Sequence, residues 1–116
     1  MLKIFLIFLL SVFLLFSCSK KNVKEAVYQP TEEEMIIAVY AEAVEALKIG
    51  DAFYAAKKFE EVENLFPQTE WAAKASLMAS YADYSRNAYS ESIFGLERYI
   101  KNYPADKNLS YAHYLI

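Results

Sequence analysis

Residues 59–104 read FEEVENLFPQTEWAAKASLMASYADYSRNAYSESIFGLERYIKNYP, and this stretch decides the fold. One helical run ends at Phe66, because the residue before a proline, here Pro67, is driven out of the helical region. The next run, predicted over 70–86, carries Trp71, Ala75, Met78, Tyr81 and Ala82 at the three- and four-residue spacing of a helix face. A further run over 89–103 carries Ile93, Leu96, Tyr99, Ile100 and Tyr103 and stops before Pro104. Working back toward the N-terminus, the run 52–66 places Ala55, Ala56, Phe59, Val62 and Phe66 on one stripe. Gly50 and Asp51 separate it from a first run over 33–49, whose stripe is Ile36, Tyr40, Ala43, Val44 and Leu47. Thr31 followed by Glu32, Glu33 and Glu34 reads as an N-cap with acids in the first turn. Asp51 is expected to cap the second run. No stretch alternates like a strand, so the predicted fold class is all-α.

The runs repeat. Sliding the chain by 37 residues lays Pro67 on Pro104, Glu60 on Glu97, Phe59 on Leu96 and Val62 on Tyr99. Phe66 then falls on Tyr103, Leu47 on Tyr84, and Gly50 on Asn87, two residue types tolerated at helix ends. The period is close to the ~34 residues of tetratricopeptide hairpins. Gly50, Asp51, Ala55, Phe59 and Pro67 fit that consensus in the first repeat, and Tyr89, Leu96 and Pro104 in the second, with Ser92 where alanine is usual. Small residues let the two helices of a hairpin approach, and aromatic residues fill the space beside them. The expected organisation is therefore a tetratricopeptide-like solenoid over 32–116, with repeats 32–67 and 68–104 and a partial third over 105–116. Because such arrays need about three repeats and polar end caps, Ile93, Leu96 and Ile100 are expected to lack a following partner. The chain is expected to be the front part of a longer protein or a truncated copy.

Ahead of the repeats the composition changes. Lys3 precedes an apolar run from Ile4 to Phe16 broken only by Ser11. As a helix that run would reach roughly 20 Å, short of the ~30 Å hydrocarbon core of a bilayer. It reads as a signal peptide over 1–17 rather than an uncleaved anchor. Leu15, Phe16, Ser17 and Cys18 resemble the bacterial lipoprotein signal, with Phe16 bulkier than usual in its slot. By that resemblance Cys18 becomes the acylated N-terminus, and several acyl chains hold a protein on a membrane far more firmly than one. Ser19 in place of an aspartate resembles the pattern passed on to the outer membrane of Gram-negative bacteria. Residues 18–31, with Lys20, Lys21, Lys24 and Pro30, read as a lipidated N-terminus and flexible tether.

Composition removes several function classes. Two glycines leave no glycine-rich phosphate loop. A single cysteine allows no internal disulfide, and with a single histidine it argues against a zinc site. Beyond the leader, 11 basic residues face 15 acidic ones, a net charge of −4 that argues against nucleic acid. No metal site and no cofactor are expected, and no nucleophile–base pair or carboxylate cluster of an envelope hydrolase stands out. His113 has no evident acid partner and reads as a surface or packing residue. Glu60, Glu61 and Glu63 read as a solvated helix face, with Lys57 and Lys58 placed for i, i+3 pairs with Glu60 and Glu61. Trp71 reads as a core anchor. The chain is not expected to be an enzyme.

With leader, basic tether and repeats together, the sequence resembles the BamD family of outer-membrane β-barrel assembly lipoproteins. The stretches that carry the resemblance are Phe66-Pro67, Glu70-Trp71-Ala72, Lys74-Ala75, Leu77-Met78, Tyr81-Ala82 and Tyr84. A second set is Arg98-Tyr99-Ile100, Tyr103-Pro104, Asn108, Tyr111-Ala112 and Tyr114-Leu115. The resemblance implies a lipid-anchored scaffold on the periplasmic side of the outer membrane. It would bind unfolded outer-membrane proteins and pass them to the β-barrel insertase subunit, in company with other lipoproteins of the assembly complex. It covers the N-terminal part of the family's array, the part that meets the client's aromatic-ended strand. The family's contacts with its partners lie largely in later repeats. The alternative is a generic outer-membrane lipoprotein scaffold for cell-wall or pilus assembly.

In repeats of this kind the first helix of each hairpin lines the concave face. Alignment on Gly50 and Pro67 puts Tyr40, Val44 and Leu47 there from the first repeat. The second supplies Leu77, Tyr81, Tyr84 and Ser85, and the third Tyr111. All ten tyrosines follow Cys18. A tyrosine ring with a hydroxyl at its tip suits an extended, aromatic peptide; the competing role for each is packing between helices.

Overall fold

A computed structural model describes residues 28–116. The leader over 1–17, Cys18 and all of the tether up to residue 27 lie outside the described residues. Five helices follow in order: α1 (Glu32–Lys48), α2 (Ala52–Leu65), α3 (Glu70–Ser85), α4 (Tyr89–Asn102) and α5 (Leu109–Leu115). There is no strand among the described residues. The fold is all-α, a run of antiparallel helical hairpins, and the ends of α1 to α4 fall within a residue of the predicted runs.

Local chemistry explains those ends. Thr31 and Glu34 form a reciprocal capping box: the Thr31 hydroxyl accepts from the Glu34 N–H at 3.2 Å, and the Glu34 carboxylate accepts from the Thr31 N–H at 2.8 Å. The Asp51 carboxylate accepts from the Tyr54 N–H, capping α2 as expected. Thr69 does the same for α3 through the Ala72 N–H. Both hairpins turn through one motif. Gly50 has φ 87° and Asn87 φ 64°, the left-handed conformation that ends a helix. The following amides reach back to Ala46 and Asp83, each at 2.9 Å, completing matched Schellman turns.

Two apolar clusters hold the array. In the first, Ile36, Ala43, Ala46, Ala55, Ala56, Phe59 and Val62 of α1 and α2 meet Ala75, Ala79 and Ala82 of α3. Trp71 packs at its margin, half-buried. In the second, Leu96 and Tyr99 of α4 meet Ala73 and Leu77 of α3 and Ala112 of α5. The partner expected to be missing for Leu96 is therefore present: α3 and the short α5 bury it completely. Ile100 also packs on this cluster, whereas Ile93 stays 38% exposed. At the α3–α4 contact the Ser92 hydroxyl donates to the Ser80 carbonyl at 2.8 Å. Gly95 sits so close to Ser80 that an added Cβ would lie 2.4 Å from the Ser80 Oγ.

Glu63 departs from its expected place on a solvated face. It is 8% exposed, and its carboxylate accepts from Arg98 Nη2 at 2.7 Å and from the Tyr103 hydroxyl at 3.1 Å. The last turn of α2 faces the C-terminal half of α4, a long-range juxtaposition that the spacing of acids along α2 does not encode. Glu60 and Glu61 do pair with Lys57 and Lys58, at 2.8 and 2.9 Å.

Candidate functional site

Val44, Leu47, Tyr81 and Ser85 line one open groove of about 400 Å³ at the Gly50 end of α1 and α3. Helical geometry explains the set. Val44 and Leu47 stand one turn apart on α1, Tyr81 and Ser85 one turn apart on α3, and the two helices run beside each other with α2 behind them.

Tyr84 and Tyr111 extend this face toward α5. They are 44% and 42% exposed. The Tyr111 hydroxyl is held above the usual phenol range, first by partial burial and then by the nearby hydroxyls of Tyr81, Tyr114 and Tyr84. Four tyrosines from two helices thus share one neighbourhood. Tyr84 also stacks obliquely on Tyr89, with ring centres 5.8 Å apart.

Two expected groove residues have packing positions instead. The Tyr40 ring stands edge-on to Phe59 at 5.1 Å and to Trp71 at 5.0 Å, with the Lys74 ammonium 5.1 Å above it. Burial raises the pKa of its hydroxyl. Leu77 is 6% exposed and belongs to the second apolar cluster, because its side of α3 faces α4 and α5. Spacing along one helix cannot tell which of two neighbours a stripe will meet.

Lys48, Gly50, Ala52 and Arg86 complete the groove and were not anticipated. They lie at helix ends, where apolar periodicity carries no signal. Ile37 and Ala41 are both exposed and lie two turns and one turn, respectively, before Val44 on its stripe, outside the groove itself. The rim is electrically balanced. Lys48 pairs with Glu45 at 3.4 Å, and Arg86 pairs with Asp83 at 2.9 Å while its guanidinium covers the Phe53 ring at 5.3 Å. Such a surface offers apolar contact and hydroxyl hydrogen bonds. Among the described residues there is no cluster of three or more acidic, histidine or cysteine side chains that could hold a metal.

Residues 32–116, the whole helical region, match the outer membrane lipoprotein family YfiO. The chain belongs to the YfiO family. Several relatives of this YfiO chain carry the name outer membrane protein assembly factor BamD. That of Caulobacter vibrioides is 36% identical over 84 residues, covering 72% of this chain and 28% of the relative. The Neisseria gonorrhoeae protein is 29% identical over 99 residues, covering 85% of this chain and 37% of its own length. The Pasteurella multocida protein is 26% identical over 114 residues, or 98% of this chain and 41% of the relative. The YfiO chain described here spans well under half the length of these relatives.

Proposed function

We propose that this chain works in outer-membrane protein assembly as a binding module for unfolded β-barrel proteins. The observation that carries the reading is the groove of Val44, Leu47, Tyr81 and Ser85, continued by exposed Tyr84 and Tyr111, in a chain of the YfiO family. An extended client segment laid across α1, α3 and α5 would set apolar side chains against Val44 and Leu47. Its backbone and polar side chains would meet tyrosine hydroxyls. The balanced rim favours no strongly charged client, consistent with strands that alternate apolar and polar residues. The role is binding and hand-over, with no bond made or broken.

Acylation at Cys18 would hold the module on the periplasmic face of the outer membrane. The 13 residues between Cys18 and Glu32 would let it reach roughly 40 Å from the surface if extended. The β-barrel insertase subunit and companion lipoproteins are the partners this reading expects. The test is affinity capture of the lipidated protein, at its natural length, from detergent-solubilised outer membranes, followed by mass spectrometry. Recovery of the insertase subunit supports assembly; clean recovery without it contradicts the assembly role.

A further inference from the structure

We propose that Glu63 acts as a clamp that sets the angle between the two hairpins, and with it the curvature of the concave face. Among the described residues, the side-chain hydrogen bonds that join a helix of the first hairpin to the second hairpin all end on Glu63. They come from Arg98 on α4 and from Tyr103 just after it, 35 and 40 residues away in sequence.

Two features make the angle depend on this contact. First, the fully buried residues of α3, the helix between α2 and α4, are mostly small: of nine, eight are alanine, serine or aspartate, Leu77 being the exception, and the larger Trp71 and Met78 pack only partly buried against the first cluster. Helix crossing angles are set by large side chains that lock ridges into grooves, and alanine and serine make shallow ridges. Second, α2 and α4 do not close on each other along their length. A gap runs between Phe53 and Glu60 on one side and Phe94 and Arg98 on the other, floored by Ala79 and Ser80. The Glu63 carboxylate spans the end of that gap. A charge-assisted bond from a guanidinium, joined by a hydroxyl on the other oxygen, fixes distance and direction in a way that apolar contact does not. The inference is independent of the proposed client binding.

The test is a distance measurement between spin labels on the full chain carrying Cys18→Ser, Asn64→Cys and Lys101→Cys, both labelled sites being exposed. Double electron–electron resonance is read in this parent and after adding Glu63→Gln or Arg98→Met, with helix content followed by circular dichroism. The clamp predicts a mean distance moved by about 2 Å or more, or a clearly broadened distribution, at unchanged helix content. A distribution that matches the parent's in folded Glu63→Gln overturns it. Should Glu63→Gln unfold, Arg98→Met, which removes the guanidinium at a partly exposed site, decides on the same criterion.

Discussion

Gly50 and Asn87 stand 37 residues apart and share one backbone conformation, with φ 87° and 64°, at matching ends of α1 and α3. Gly50 has open space where a Cβ would point, so its requirement is conformational rather than steric crowding. Gly50→Ala should therefore destabilise the fold by about 1–2 kcal/mol, the cost of a left-handed alanine. Asn87→Gly should change stability by only a few tenths of a kcal/mol, because asparagine already tolerates this region. Urea denaturation of both variants checks the contrast.

Gly95 and Ser80 should be energetically coupled. In the native background the extra methyl of Gly95→Ala meets the Ser80 hydroxyl, which already donates to the Ser76 carbonyl at 3.2 Å. With Ser80→Ala the obstruction is gone, and alanine should gain its usual advantage over glycine in a helix, about 1 kcal/mol. A double-mutant cycle should return a coupling of at least about 0.5 kcal/mol. Additive effects would contradict the close approach of α3 and α4.

The two ends of the pH scale should weaken the fold through different groups. Burial, followed by the Glu63 carboxylate, pushes the Tyr103 hydroxyl up to about 12. An unfolded tyrosine ionises near pH 10. Between about pH 10 and 12 the unfolded state therefore binds fewer protons, and stability that is complete below pH 10 is lost as pH rises. Tyr103→Phe should flatten that alkaline slope. Asp106 behaves oppositely. The Tyr99 hydroxyl, and then the Asn108 N–H, hold its carboxyl below the usual range. Its contribution is present above about pH 4 and lost as pH falls below that. Asp106→Asn should reduce the acid-side slope; denaturation midpoints from pH 2 to 12 read both.

Glu63→Ala should cost more than a surface carboxylate would. Exposed pairs are worth about 0–1 kcal/mol, but Glu63 is nearly buried and leaves two donors behind, so about 1–3 kcal/mol is expected. Arg98 is partly exposed, which keeps the figure below that of a fully buried pair. Glu60→Ala, removing a carboxylate whose ion pair among the described residues is with the exposed Lys57 alone, should cost under about 1 kcal/mol. Equal losses in the two variants would remove the distinction.

The elements were legible because their ends are written locally. Thr31 with Glu34, Gly50 with Asp51, Pro67 and Pro104 each act within one turn of the chain, and the 37-residue offset ties the two hairpins together. Positions that depend on a distant helix were not legible. Leu96 was expected to lack a partner, yet α5 reaches it, and Glu63 was expected in water, yet Arg98 meets it. The groove divides in the same way. Val44, Leu47, Tyr81 and Ser85 follow from helix spacing, while Tyr40 and Leu77 share that spacing but are claimed by Trp71 and Leu96. Lys48 and Arg86 escaped because helix-end residues carry no period.

The most direct test of the proposed function is titration calorimetry of the chain with a peptide from the C-terminal, aromatic-ended strand of an outer-membrane barrel protein. It would compare the native sequence with Tyr81→Ala plus Tyr84→Ala, folding of the variant being checked by circular dichroism. Loss of two aromatic contacts should weaken binding about tenfold or more. Unchanged affinity in the folded double variant would contradict the groove as the client site.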